Sequence, residues 1–466
     1  MTALDTRPVV VEAPTPTPNR WRWIALLVII TGSVMELLDA TVTNIAGPVM
    51  RAELGGGTSL IQWLGAAYTL AMTAGLLTGG RLGDIVGRKR MFLIGVIGFT
   101  IGSLLCAIAV SPETIIAARV VQGLFGAAMI PQGMGLMKEM FQPKELQAAF
   151  GLFGPIMGLS AVGGPILAGA LVDGPGWRMI FLINLPIGIA TAVAALRFLP
   201  NTKPTGGVRL DLPGALLASL ATVLLVFPLV QGGEHGWPVW SFVLMGLSAV
   251  TFAVFVAYER RRKSDQLIAP SLFRKPAFLG GMAVGATYFA AFGGVFVVIG
   301  LYTQLALGYS PLKAALTGVP SSIGMIIGMT IAQASVKYGR KVLLTGAVIM
   351  GTAVLSLVLI ADPAITPWQL APSLVFVGLG SGLIMGPYYS IVLAAVDPEE
   401  MGSASGTLTA IQQVGNALGL AILGTVFFQT GSAEITFAAA AGLIALTLAV
   451  GFLLPKQGRE GVELAH

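Results

Sequence analysis

Between two long apolar stretches the chain reads Gly80-Arg81-Leu82-Gly83-Asp84-Ile85-Val86-Gly87-Arg88-Lys89, and in its second half it reads Ala332-Gln333-Ala334-Ser335-Val336-Lys337-Tyr338-Gly339-Arg340-Lys341. Each segment leaves one apolar run, ends in Gly-Arg-Lys and enters another apolar run. Three matching residues are a weak signal alone. Their placement at corresponding loops of two halves is what a duplicated helical membrane protein shows.

The surrounding composition fits that reading. Of 466 residues, 55% are hydrophobic and 10% charged, and the mean hydropathy is +0.85. A soluble domain carries roughly 25% charged residues, so this chain has too little polar surface for a cytosolic enzyme, a nucleic-acid binder or a disordered scaffold. One cysteine, Cys106, and two histidines, His235 and His466, supply neither an intrachain disulfide nor a Cys/His metal cluster.

A membrane-crossing helix needs about 20 mostly apolar residues. Cutting at charges, prolines and Gly-rich turns predicts fourteen spans, near 23–46, 59–80, 91–110, 113–137, 148–172, 179–198, 213–231, 239–257, 277–302, 313–334, 342–361, 369–393, 403–428 and 433–454. With both termini inside, all of the 27 Lys and Arg residues except Arg51, Arg119, Arg178 and Lys313 fall on the cytoplasmic side. The opposite orientation exports nearly every basic loop, against the positive-inside rule. If the spans at 213–231 and 239–257 are an insertion, the remainder divides into six plus six. The expected organisation is a disordered cytoplasmic tail (1–20), a six-helix bundle (21–200), two inserted helices (201–265), a second six-helix bundle (266–455) and a cytoplasmic tail (456–466). The fold class is therefore an all-α polytopic membrane protein. The Pro/Thr run with Pro14, Pro16 and Pro18 lacks a cleavage-site pattern and reads as a tail, not a signal peptide.

Nearly all formal charges sit in loops or at span ends. Three lie deep: Glu36 and Asp39 in the first span, and Arg119 in the fourth. Intramembrane ionisable residues are costly and mark ion pathways. At 1.5 Å per residue, Asp39 and Arg119 each lie roughly 10 Å below the outer ends of their spans. Glu36, one turn from Asp39, shares its face. Two adjacent carboxyls biased by a guanidinium can hold one exchangeable proton and release it to a cationic ligand. A static Arg–carboxylate pair ordering two helices is the competing reading.

Several stretches resemble the major facilitator superfamily, specifically its fourteen-span drug:proton antiporters. The loop Gly80 to Lys89 is similar to the superfamily signature between helices 2 and 3, and Arg119-Val120-Val121-Gln122-Gly123 to its helix-4 motif. Gly154, Gly158, Gly164-Pro165 and Gly169 resemble the helix-5 motif associated with antiporters. Leu38-Asp39-x-Thr41-Val42-x-Asn44-x-Ala46-x-Pro48 resembles the group's helix-1 motif, and Trp177-Arg178-x-x-Phe181-x-x-Asn184-Leu185-Pro186-Ile187-Gly188 its helix-6 region. Three positions depart from the pattern: Val336 replaces the carboxylate of Asp84 in the second loop copy, and Thr43 and Gly47 stand where apolar residues are commoner.

The resemblance implies two six-helix bundles plus two inserted helices, and alternating access. It makes Gly80, Asp84, Gly87 and Arg88 a conformational latch rather than a substrate ligand; a plain loop anchor is the alternative. It makes the helix-5 glycines a rocking surface; close packing is also their plain reading. It places spans 1, 4, 9 and 12 around a central cavity, where Tyr288, Phe292 and Phe296 of span 9 and Tyr388 and Tyr389 of span 12 would stack on a flat lipophilic ligand; Gln412 and Asn416 of span 13 would hydrogen-bond a substrate or simply bond between helices. An aromatic stripe in a membrane helix otherwise faces lipid or packs.

No Gly-Lys dipeptide occurs, so no phosphate-binding loop supplies an ATPase. Transport must draw on an ion gradient, and the carboxyls nominate protons. The function expected is proton-coupled export of lipophilic drugs or antibiotics across the cytoplasmic membrane, by a monomer in the bilayer that needs no cofactor or metal and binds no nucleic acid. A dedicated exporter of one endogenous secondary metabolite is the alternative. A membrane-embedded enzyme is a remote third, because neither HExxH nor DDxxD occurs.

Overall fold

The structure, a computed structural model, describes residues 21–201, 211–262, 271–335, 338–394, 396 and 401–455. The expected tails, 1–20 and 456–466, lie outside these residues, as do Val336 and Lys337 of the second loop copy.

Among the described residues all regular structure is helical. In chain order the helices are α1 (Arg22–Leu54), α2 (Ser59–Val86), α3 (Arg88–Ala107), α4 (Pro112–Met140), α5 (Pro143–Asp173), α6 (Arg178–Leu182), α7 (Asn184–Phe198), α8 (Leu212–Gln231), α9 (Val239–Arg261), α10 (Pro276–Leu301), α11 (Pro311–Ala334), α12 (Arg340–Ile360), α13 (Pro367–Ala394), α14 (Met401–Thr430) and α15 (Ala433–Gly451). A π turn, Tyr302–Ala306, extends α10. Local chemistry sets the starts. Prolines at the first turn open α4, α5, α8, α10 and α11, where the missing N–H has no intrahelical partner to lose.

Twelve helices among the described residues are long and apolar enough to cross a membrane, and thirteen if the bent α2 counts as one span. Helix α5 contributes a shorter apolar stretch, Val162–Asp173. The helices overrun several sequence boundaries: α1 continues to Leu54 and α5 begins at Pro143. The span expected at 179–198 is divided at Ile183, between α6 and α7.

In the first half α4 packs on α2 and α3, α5 packs on α1, and α7 on α3 and α1. In the second half α13 packs on α11 and α12, α14 on α10, and α15 on α12 and α10. Lipid offers no hydrophobic drive for helices to meet, so close backbone approach and dispersion must supply it. At the α11–α13 contact, a Cβ on Gly378 would run into the Ser321 carbonyl oxygen, and one on Gly324 into that of Val375. The outer surface is correspondingly apolar, with Ile101, Leu159, Leu196, Val243 and Leu359 exposed.

The halves meet where α2 lies against α14 and α5 against α11. Helices α8 and α9 pair with each other, and α8 also packs on α2 and α14.

Candidate functional site

The three deep charges come together inside the first half. Asp39 and Arg119 form an ion pair with both side chains wholly buried. Asp39 Oδ1 also accepts from Gln122 Nε2 at 2.7 Å and from Asn184 Nδ2 at 3.3 Å. Ser103 Oγ stands behind these amides, accepting from Gln122 at 2.7 Å and from Asn184 at 3.1 Å. Helices α1, α4 and α7 are thus tied through one carboxylate, and α3 joins them through the two amides.

Arg119 is held from the other side. Its Nε donates to the Leu64 carbonyl at 3.0 Å and its Nη1 to Gln122 Oε1 at 2.7 Å. Its guanidinium lies 4.2 Å from the centre of the Tyr68 ring, a cation–π contact that strengthens when water is excluded. Arg119 Nη2 has no hydrogen-bond partner among the described residues. Breaking such a pair by removing one member costs about 3–5 kcal/mol, because the survivor is left charged and dry.

Glu36 lies beside this pair but outside it. Its Oε1 accepts from the Tyr68 hydroxyl at 3.1 Å, and it is 9% exposed against 1% for Asp39 and 0% for Arg119. A void of about 10 Å³ adjoins Asp39, bounded also by Asn184, Gly164 and Leu38. That is room for a single water. The arrangement gives two carboxyls different tasks: Asp39 has three donors and Glu36 one.

Sequence reasoning found the three charges and missed Tyr68 and Ser103. Gln122 and Asn184 lie inside the helix-4 and helix-6 motifs, and their depth in apolar spans is the signal that nominates them. Ser103 and Tyr68 carried no such mark.

The loop motif is built locally. Gly87, at φ +99°, ends α2 and begins α3, a backbone that an L side chain rarely adopts. Arg88 bonds Asp84 at 2.8 Å and reaches Glu139 of α4 at 2.9 Å. These ties join α2, α3 and α4, all in the first half. The pairing of Asp84 with Arg88 stays within one bundle, the two residues being one helical turn apart. A Cβ on Gly80 would lie 3.7 Å from Pro131 Cβ, an ordinary van der Waals contact.

In α5, Gly164 and Gly169 face different partners. A Cβ on Gly164 would lie 2.9 Å from Leu38 Cδ2 of α1; one on Gly169 would lie 2.7 Å from Leu312 Cα of α11, across the halves. The helix runs unbroken through Pro165. The packing around Gly154 and Gly158 lies outside the described residues.

The second-half aromatics divide. Tyr288 and Tyr388 are buried within the bundle. The Tyr288 hydroxyl lies 2.7 Å from Ser381 Oγ, and the Tyr388 hydroxyl abuts Gly285. Neither ring presents an open face in this structure. Phe292, Phe296, Tyr389, Gln412 and Asn416 are half-buried. Phe292 and Phe296 rings lie 4.8 Å apart, Tyr389 donates to Gln412 at 2.5 Å, and Asn416 Oδ1 has no hydrogen-bond partner among the described residues. Gln413 reaches across to Met72 Sδ of α2 at 3.0 Å. Among the described residues, no three His, Cys, Asp or Glu side chains are grouped to hold a metal ion.

Residues 29–420 match the family model of the Major Facilitator Superfamily. The chain is 48% identical to the probable actinorhodin transporter of Streptomyces coelicolor, over 90% of this chain and 75% of that protein. It is 35% identical to the puromycin resistance protein of Streptomyces alboniger, over 88% of this chain and 82% of that one. Among solved structures, a POT family transporter in complex with a thioalcohol-conjugated peptide aligns with 93% of this chain and 97% of its own, at TM-score 0.71 and 13% identity, a likeness of fold. A helical membrane bundle with an ion pair at its first-half core, matching this family over most of its length, belongs to the Major Facilitator Superfamily of transporters.

Proposed function

We propose that the protein exports lipophilic antibiotic-like molecules across the cytoplasmic membrane, in exchange for protons, by alternating access. The observation that carries this is the buried Asp39–Arg119 pair with Glu36 one turn away on Tyr68. The names of its relatives, an actinorhodin transporter and a puromycin resistance protein, support antibiotics as the cargo class.

In this reading a proton reaches the more accessible carboxyl, Glu36, and passes to Asp39. A neutral Asp39 no longer balances Arg119, so the tie between α1, α4 and α7 loosens as the proton arrives. Cargo binding and proton release then compete for the same charge. The half-buried Phe292, Phe296, Tyr389, Gln412 and Asn416 offer rings and amides to a flat cargo. Asp84, Gly87 and Arg88 act on the cycle from the loop, by setting how α2 and α3 move against α4.

The domain organisation belongs to this proposal: bundles at 21–200 and 266–455, an insertion at 201–265, α5 as the fourteenth span, both termini cytoplasmic, and a monomer as the working unit. The uneven placement of Lys and Arg supports the orientation. A second reading, a dedicated exporter of one metabolite made by the same cell, is favoured by the 48% identity to an actinorhodin transporter.

Efflux from energised cells across a panel of antibiotics, with and without a protonophore, tests both. Export of several unrelated compounds that stops with the protonophore supports the first reading, and export of one aromatic metabolite alone the second. Export that survives the protonophore overturns the coupling.

A further inference from the structure

The inserted pair is fastened to both halves at the face away from the basic loops, and a helix start is the fastening point. Helix α2 begins at Ser59, and its N-cap Thr58 makes no side-chain cap of its own. Glu234, in the turn between α8 and α9, does the capping instead. Its Oε1 accepts from the Ser59 N–H at 2.6 Å and from the Thr58 hydroxyl at 3.1 Å, and its Oε2 accepts from the Ser59 hydroxyl at 2.9 Å. A carboxylate there meets orphan donors and opposes the positive end of the helix dipole.

The same hairpin holds α14 through its carbonyls. Leu229 O accepts from Thr425 Oγ1 at 2.9 Å, and Gly233 O from Gln429 Nε2 at 3.3 Å. Thr425 in turn accepts from Gln62 of α2 at 3.3 Å, and the rings of Trp63 and Phe227 meet at 5.7 Å. A second carboxylate caps across the halves directly: Asp173, ending α5, accepts from the Leu312 N–H in the first turn of α11 at 3.1 Å.

We propose that the α8–α9 hairpin is a clasp on the outer gate, and that Glu234 is a positioning residue of the transport cycle, holding α2 against α14 while the outer face is shut. The inference rests on the alternating-access reading. Opening that face pulls α2 away from α14, and one hairpin cannot follow both. The clasp is reversible because it sits at a membrane surface, where water takes over the freed donors as Glu234 leaves.

The test is pulsed electron–electron resonance on the full chain in lipid nanodiscs, with spin labels at Val110→Cys and Trp368→Cys. These positions are 79% and 86% exposed on the same face of the two halves, and the native Cys106 is buried. The parent should show a dominant short separation and a minor long one. Glu234→Gln should raise the long population about fivefold, the response to losing roughly one ordinary hydrogen bond. Thr425→Val should shift it the same way, and Thr425→Ser, which keeps the hydroxyl, should restore the parent's ratio. Should Glu234→Gln fail to fold, the Thr425 pair decides. Two populations in the parent whose ratio neither variant moves would overturn the clasp and leave alternating access standing. A single separation in the parent at pH 5.5 and pH 8, with or without puromycin, would overturn both.

Discussion

Gln122 Nε2 lies 2.7 Å from Asp39 Oδ1 while the other end of the same amide accepts from Arg119 at 2.7 Å. One neutral side chain therefore serves both members of a buried ion pair. Its oxygen faces the cation and its nitrogen the anion, and the charge pair is embedded in a set of dipoles instead of bare hydrocarbon. That is the condition under which buried charge is tolerated.

Asp39→Asn should abolish drug-induced proton release from purified protein and lower its thermal stability, because Arg119 keeps its charge among neutral partners, at a cost of about 3–5 kcal/mol. Adding Arg119→Gln should recover part of the stability and none of the proton release. Differential scanning fluorimetry and proton release, measured on the same preparations, separate the two effects. Proton release and export unchanged in Asp39→Asn would place coupling elsewhere.

Tyr68→Phe keeps the ring beside Arg119 and removes the hydroxyl that donates to Glu36. The stability loss should be small, about 0.5–1.5 kcal/mol. The pH dependence of export should shift, with Glu36→Gln shifting it further. A profile identical to the parent's in both variants would remove Glu36 from the proton route.

Gly87→Val puts a branched side chain at φ +99°, and Asp84→Asn weakens the bond to Arg88. Both should slow export while equilibrium binding of substrate to the purified protein stays within about twofold, less than one ordinary hydrogen bond is worth. Equal losses of binding and export would count against a conformational role.

Gly169→Val would set a side chain against the backbone of Leu312, which an added Cβ would already approach to 2.7 Å. Helices α5 and α11 would be held apart, and the long separation between labels at Val110 and Trp368 should dominate. Gly318→Val, where an added Cβ meets nothing within 4 Å, is the control and should leave the separation unchanged.

Partial burial pulls the Glu234 carboxyl upward, but the donors of Ser59 and Thr58, with His235 alongside, hold it below the ordinary carboxylate value of 4.5. A group depressed in the fastened state supports that state above its ordinary value and ceases to do so as pH falls through the depressed one. The label separation should stay constant from neutral pH down to about the ordinary carboxylate value and lengthen below it. In Glu234→Gln this response should be absent. A parent and variant with the same pH response would assign the titration to another group.

The sequence by itself determined the class of molecule and the charges that matter. A 10% charge content cannot cover a water-soluble surface, and the cost of placing Glu36, Asp39 or Arg119 in an apolar span is visible in one dimension, with no fold required. The motifs carried the family, and the Lys and Arg placement carried the expected orientation. What it could not settle was the span count at α5, where the described apolar stretch is short.

Only the tertiary structure decided which carboxyl Arg119 takes. Asp39 and Glu36 are one turn apart, and it is the position of α4 against α1 and α2 that gives Arg119 to Asp39 and leaves Glu36 to Tyr68. The partners of the neutral Gln122, Ser103 and Asn184 could not be read from sequence, because an amide or hydroxyl in a membrane helix usually bonds some neighbouring helix, and which one depends on packing. The same reason separates Tyr288 from Phe292 on α10, and Tyr388 from Tyr389 on α13, the first of each pair being turned into the bundle. It also hides the capping of α2 by Glu234, since a helix start whose cap comes from a residue distant in sequence has no local signature; it exists only where the fold brings the α8–α9 turn to Ser59.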